Sequence, residues 1–189
     1  MASSINASTS SGIVQTADTS GILNLQSNGT TKVAVSSSGV DLTGLSKSSL
    51  PTGSVLQVVN ATQSTQVSNT TTTYVSSGLT ATITPTFATS KILVVFTQNL
   101  FLTLAAANSK LNLYRNGSSI KTFEYTGYSG NGTLMIYPTC QFLDSPSATT
   151  ATTYAIYFNS VNGTTNIVAN YTDAAGSPVS TITLMEIAA

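Results

Sequence analysis

The chain has 189 residues, with six Lys and Arg against six Asp and Glu, so 6% of it is charged where an ordinary soluble domain carries roughly 25%. Net charge is zero and no basic run is present, which excludes the electrostatic footprint of nucleic-acid binding and gives no sign of membrane attachment. Histidine is absent, removing the usual general base at neutral pH and the commonest metal ligand, so neither an enzymatic activity nor a cofactor or metal is expected.

Ser and Thr number 28 and 33, a content that in other chains marks mucin-like or disordered segments. Here 41% of residues are still hydrophobic and polar residues alternate with apolar ones, so a core can be buried. Met1 is followed by Ala-Ser-Ser-Ile-Asn-Ala-Ser, with neither a charged n-region nor an apolar h-region, and no secretory leader is expected. The most apolar stretch, 92–107, is interrupted by Thr97, Gln98, Asn99 and Thr103 and is shorter than the roughly 20 residues that span a bilayer.

All fourteen aromatics lie at or after Tyr74, so the first fifty or so residues lack large anchors for a compact core. Within them, 22–26 and 31–35 flank Ser27-Asn28-Gly29, which reads as a hairpin with a bulged three-residue loop. In that register Leu23 faces Val33, and Val40-Asp41-Leu42 supplies a third short segment. A sheet this small has too little apolar surface to be stable alone, and identical copies from neighbouring chains are its natural supply of partners. Leu23, Leu25, Val33 and Val35 are therefore the expected contacts between such copies over residues 21–50, the segment that the resemblance given below makes a trimeric stalk.

Ser46-Lys47-Ser48-Ser49-Leu50-Pro51-Thr52-Gly53 is linker chemistry and starts a second domain over 51–189. There the signal is almost purely β, with runs at 55–59, 73–76, 79–84, 91–104, 110–115, 120–125, 133–143, 152–160, 166–171 and 180–187 rich in Val, Ile, Thr, Tyr and Phe. Asn-Gly recurs at 28–29, 116–117, 131–132 and 162–163, four hairpin signals that argue for antiparallel connectivity. About ten strands in this length form an all-β antiparallel sandwich, most simply a jelly roll. Cys140, the single cysteine, has no partner for an internal disulfide and no His to activate it, so it reads as a small buried side chain.

The stretch from Gly12-Ile-Val-Gln-Thr to Thr31-Lys-Val-Ala-Val resembles the stalk segment of short phage virion fibre proteins. Pro51-Thr-Gly-Ser-Val-Leu-Gln-Val-Val, Ser90-Lys-Ile-Leu-Val, Leu113-Tyr-Arg-Asn-Gly, Tyr154-Ala-Ile-Tyr-Phe-Asn-Ser and Ser180-Thr-Ile-Thr-Leu-Met-Glu-Ile look like the C-terminal domain of marine-phage virion structural and fibre proteins. Those domains are similar to the trimeric tumour-necrosis-factor-like jelly roll. The resemblance implies a homotrimer assembled in the host cytoplasm and carried on the virion, with residues 1–20 docking on other virion proteins and the head attaching to a host-surface glycan or protein. A capsid-decoration or tail-assembly role without receptor contact is the alternative.

If the last strand runs towards the base of the head, as the resemblance implies, strict alternation puts loops 85–90, 116–118, 144–151 and 172–178 at the distal tip, and 105–109, 126–132 and 161–164 at the base. Arg115, Asn116, Asp144, Ser145 and Asp173 are then receptor-contact candidates, although solvated loop charges are the plainer account. Tyr128, in the glycine-rich loop 126–132, is a further candidate for stacking on a sugar. Glu186, interrupting an apolar strand, is expected to face outward or to pair with a cation.

Overall fold

The computed structural model describes residues 22–41, 46–104, 106–172, 176 and 178–189; the expected docking segment, 1–20, lies outside them. The chain divides into two compact units, Met1–Leu50 and Pro51–Ala189.

In the first unit, β1 (Leu23–Ser27), β2 (Thr30–Ser36) and β3 (Gly39–Asp41) form one antiparallel sheet in that order. Asn28 and Gly29 both take positive φ, 50° and 74°, so the hairpin closes through two residues, as type I′ turns require. The expected three-residue loop is thereby corrected. The register becomes Leu23↔Val35 and Leu25↔Val33, in place of Leu23 facing Val33, because the irregularity falls inside the ladder, between Leu25 and Gln26, and not in the turn.

The second unit is built from β4 (Val55–Gln63), β5 (Val67–Asn69), β6 (Val75–Ile83), β7 (Lys91–Thr97), β8 (Leu100–Leu102), β9 (Asn108–Arg115), β10 (Ser118–Tyr128), β11 (Leu134–Ile136), β12 (Thr139–Asp144), β13 (Thr152–Ser160), β14 (Ile167–Ala169) and β15 (Ser180–Ile187). One layer has the order β10-β9-β13-β6. The other consists of β12-β7-β15-β4, extended at one end by β11-β8-β14-β5. These two sets belong together because the register between their chains runs on: Thr97↔Thr139 leads directly into Leu100↔Ile136. Four long strands of this layer are thus each broken once, and the result is a four-on-four antiparallel jelly roll.

Period-two burial puts the core between the layers. Ile92, Val94 and Phe96 of β7 alternate with half-exposed neighbours, as do Ile182 and Leu184 of β15, and they meet Leu79, Ile83, Leu111, Leu113, Ile156 and Phe158 of the facing layer. Phe96 and Phe123 cross edge to face at 5.5 Å. Of the four Asn-Gly pairs, Asn28-Gly29 and Asn116-Gly117 close hairpins. Asn131-Gly132 and Asn162-Gly163 instead lie on connections between the layers, where β10 leads to β11 and β13 leads to β14.

The breaks in the second layer share a knot of buried amides. Asn170, fully buried and in the left-handed region at φ 56°, donates from Nδ2 to the carbonyls of Thr65 and Ser77. Its Oδ1 accepts from Gln98 Nε2 and from the Ser180 hydroxyl. Both faces of one amide are satisfied where β4, β7 and β14 all end. The knot also fixes direction: β14 and β15 are antiparallel to β8 and β7 respectively, so they run the same way, as two pieces of one strand.

That shared direction corrects the loop map. Ala188 exchanges hydrogen bonds with Gly53 and Ser54, so β15 does run towards the end where the chain enters the unit. Counting β14 and β15 as opposed strands, however, inverts every earlier loop. Loops 85–90, 116–118 and 144–151 lie at the entry end, and 105–109, 126–132 and 161–164 lie at the far end. The runs 73–76 and 79–84 likewise form a single strand, β6, which passes a register irregularity at Gly78, φ 81°. Asn170→Ala would remove the donor to the buried Ser77 carbonyl and to the more exposed Thr65 carbonyl and is expected to cost about 2–3 kcal/mol of stability, measured by urea unfolding of the full chain.

Candidate functional site

Arg115, the last residue of β9, and Asp144, the last of β12, sit on opposite layers and close the entry end. Arg115 Nη1 donates to both carboxylate oxygens, at 3.0 and 2.8 Å, and Tyr154 donates its hydroxyl to Oδ2 at 2.7 Å. Asp144 is 8% exposed. Burial, together with the carboxylate beside it, drives the Tyr154 phenol far above its ordinary pKa against the opposing pull of Arg115, so it stays a donor. This triad clamps one layer to the other and leaves little of the carboxylate free for a ligand.

Asn116 occupies the first position of a two-residue turn, φ 48°. Its Oδ1 accepts from the backbone N–H of Thr153 at 2.8 Å, and its own N–H donates to the Thr153 carbonyl. Ser145 is exposed beside Asp144. Arg115, Asn116, Asp144 and Ser145 are therefore brought together, but at the entry end, in structural roles for all but Ser145. Asp173 lies outside the described residues.

Glu186 is fully buried, in contrast to the expected outward charge. Its carboxylate accepts from Gln57 Nε2, the N–H and hydroxyl of Thr86, and the Ser90 hydroxyl. Burial alone would raise its pKa, but these donors from Ser90, Gln57 and Thr86 together hold it below the ordinary carboxylate value. Ionised Glu186 thereby pins loop 85–90 onto β15 without a cation. Cys140 is half-buried and packs against the core; burial pushes its thiol pKa up. Among the described residues no group of His, Cys, Asp and Glu has the makings of a metal site.

The far end is framed differently. Tyr128 closes β10 opposite Asn108 and is 60% exposed. Behind it, Ser129 N–H donates to the Ala107 carbonyl, Ala106 N–H to Gly130, and Ala107 N–H to Ser129 Oγ, while that hydroxyl itself donates to the Leu104 carbonyl. The two loops are laced together by backbone. A Cβ at Gly127 would fall 2.2 Å from Ile136 Cδ1, so the end of that side chain would have to move to admit one. Leu104, 55% exposed, joins Tyr128 as a large apolar side chain at this end. Composition did not single it out, since only the fold places 104 beside 128.

In the small sheet, the ladder puts Leu23, Val35 and Val40 in one cross-strand row and Leu25 and Val33 in the next. Leu23, Leu25, Val35 and Val40 are exposed, at 41, 48, 38 and 60%. The four expected stalk residues thus share one face, and Val40 is an addition that the β2–β3 pairing reveals.

The outer faces of the two head layers differ in chemistry. On the β4-β15-β7-β12 face the register aligns Val58, Met185, Leu93 and Leu143 in a row across all four strands. The next rows are Asn60-Thr183-Val95-Gln141 and Thr62-Thr181-Thr97-Thr139, with no ionisable group in any of the three. The opposite face carries the Lys110–Glu124 ion pair and a stacked Tyr114–Tyr157 pair.

No family model matches the chain, and no curated protein matches it. Among solved structures it is similar to a chain of infectious bursal disease virus, Gx strain, at 11% identity and TM-score 0.37, covering 70% of this chain and 37% of that one. A second is from T=1 particles derived from infectious bursal virus, at 14% identity and TM-score 0.38, covering 71% and 37%. A third, from the Gt strain, has 14% identity and TM-score 0.35, covering 97% and 52%. The chain spans about a third to a half of those proteins' length, and likeness of this degree carries no argument about function.

Asp144→Ala removes the carboxylate shared by Arg115 and Tyr154 and is expected to lower stability by about 2–3 kcal/mol. Ser145→Ala, at the exposed neighbour, should stay within about 0.5 kcal/mol. Parallel denaturant titrations of the two variants distinguish a structural clamp from a solvated loop charge.

Proposed function

We propose that the chain is a virion fibre or spike protein, a homotrimer that docks on the particle through its N-terminal segment and attaches it to the host-cell surface through the head. The observation that carries this reading is the row Val58-Met185-Leu93-Leu143, backed by two uncharged rows, on the outer face of one layer. Val58 and Leu143 are 58 and 50% exposed in the single chain. These three rows can be buried against identical copies without desolvating an ion, Lys91 standing in the row beyond them, beside Ile187. The apolar face of the small sheet makes the same demand independently, since three short strands with one hydrophobic side need a covering layer. The sequence resemblance to phage fibre proteins supports the same assignment.

The mode of action is display and not catalysis. Both described buried carboxylates of the head, Asp144 and Glu186, are committed to structural hydrogen bonds. Three heads on one stalk multiply a weak contact through effective concentration when surface receptors lie within reach. Tyr128, on its laced frame at the end away from chain entry, is the favoured contact residue of the original candidates. The alternative, a decoration or tail-assembly component without receptor contact, draws support from the structural duties of Arg115, Asn116 and Asp144.

Light scattering of the full chain is expected to give about 58 kDa, three times the 19.4 kDa of one copy. The paired substitutions Val58→Asp and Leu143→Asp should reduce that mass while leaving the circular dichroism of the β fold intact; a monomeric unmodified chain would overturn the trimer. In a competition assay, the purified protein should block particle adsorption, and Tyr128→Ala should weaken the block about tenfold. Undiminished adsorption in the presence of saturating protein selects the decoration role.

A further inference from the structure

The outer face of the β10-β9-β13-β6 layer holds an arrangement that neither the fold nor trimerisation uses. Tyr114 of β9 and Tyr157 of β13 stack with ring centroids 3.9 Å apart and planes 23° from parallel, on the two central strands of the layer. Their hydroxyls bond no group among the described residues. Tyr74, just before β6, is near enough to Lys110, Glu124, Thr122 and Tyr114 for their charges and dipoles to act on its phenol. Beneath the rings, Asn112 is 3% exposed. It accepts from the Ser119 hydroxyl at 2.9 Å and donates to Thr122 Oγ1 at 3.1 Å, which orients both hydroxyls. Lys110 and Glu124 nearby are paired with each other, and Lys121 is exposed on the same edge strand.

We infer that this face is a binding platform for a neutral saccharide, with Tyr74, Tyr114 and Tyr157 supplying ring surface and Ser119, Thr122 and the phenol hydroxyls of Tyr114 and Tyr157 supplying hydrogen bonds. A pyranose presents patches of C–H on one side and a belt of hydroxyls around it. Rigid aromatic surface meets the first at low entropic cost, and donors and acceptors fixed at the ring edges meet the second. A charged sugar is disfavoured because its ion would lie beside an already neutralised pair. The inference rests on the fibre reading in one respect: burying the Val58 row between copies leaves this layer facing outward, so three platforms are displayed together and weak individual contacts add.

The test is binding of the full-length protein to an immobilised panel of neutral gluco-, galacto- and manno-oligosaccharides beside sialylated and sulfated ones. Retention on at least one neutral sugar, little changed by salt, is expected. Tyr157→Ala and Ser119→Arg should each lower it at least tenfold, while Thr149→Ala, in an exposed loop away from the face, leaves it unchanged. The chain has no tryptophan, so its intrinsic fluorescence is tyrosine fluorescence, and titrating the retained sugar into the unmodified protein should change it even if Tyr157→Ala does not fold. No retention on any neutral sugar, retention on the charged ones alone, or full retention by Ser119→Arg overturns the platform. The native mass separates the two readings: a trimer indifferent to sugars keeps the fibre and loses the platform, whereas a monomer that binds through Tyr157 does the reverse.

Discussion

The Asn170 amide is the point on which the architecture turns. It satisfies two backbone carbonyls and takes hydrogen bonds from Gln98 and Ser180, all at the level where one layer of the sandwich is interrupted. A buried polar group left without its partner costs more than a satisfied one contributes, so the carbonyls and side chains that meet at Asn170 depend on it together. Its consequence is directional. β14 and β15, on either side of it in the chain, run in the same direction, and that decides which loops gather at which end of the head.

Low charge and the two-layer design are connected. With so few ionisable groups, each buried one has to be provided for, and the head does so by two different means. Asp144 is met by a cation and a phenol from the opposite layer; Glu186 is met entirely by neutral donors from one loop and one neighbouring strand. Both lie at the entry end and fasten loops or layers there. The far end is instead laced by backbone hydrogen bonds between 104–107 and 129–130, which leaves Tyr128 and Leu104 exposed on a rigid frame. One end is fastened through buried carboxylates and the other mainly through backbone.

The same division runs between the two outer faces. Strand alternation sends every second residue outward, so the outward sets of adjacent strands become a surface only once their register is known. On one layer the register gathers valine, methionine and leucine into a row, with hydroxyls and amides above it. On the other it gathers tyrosines over a buried asparagine, with a balanced ion pair at the side. A face of the first kind is what the proposed trimer would bury, and a face of the second kind is what the proposed saccharide would meet.

Much of this was legible in the chain before folding. Runs of Val, Ile, Thr, Tyr and Phe with period-two alternation determine an all-β antiparallel molecule, because such residues pack on a pleated, half-buried surface whatever their partners. Leu23, Leu25, Val33 and Val35 were readable as one apolar set for the same local reason. Pairing was not. Two of four Asn-Gly pairs turn hairpins and two link the layers, since a turn signal states that the chain reverses and not which strand it meets next. Whether Ile167–Ala169 opposes or continues Ser180–Ile187 depends on contacts with Leu100–Leu102 and Lys91–Thr97, some seventy to ninety residues away. Sequence thus determined composition, periodicity and the uncharged character of the surface, which are properties of short segments. Tertiary structure alone decided register, loop placement and the union of Tyr74, Tyr114 and Tyr157 on one face, because each depends on hydrogen bonds between strands remote in the chain.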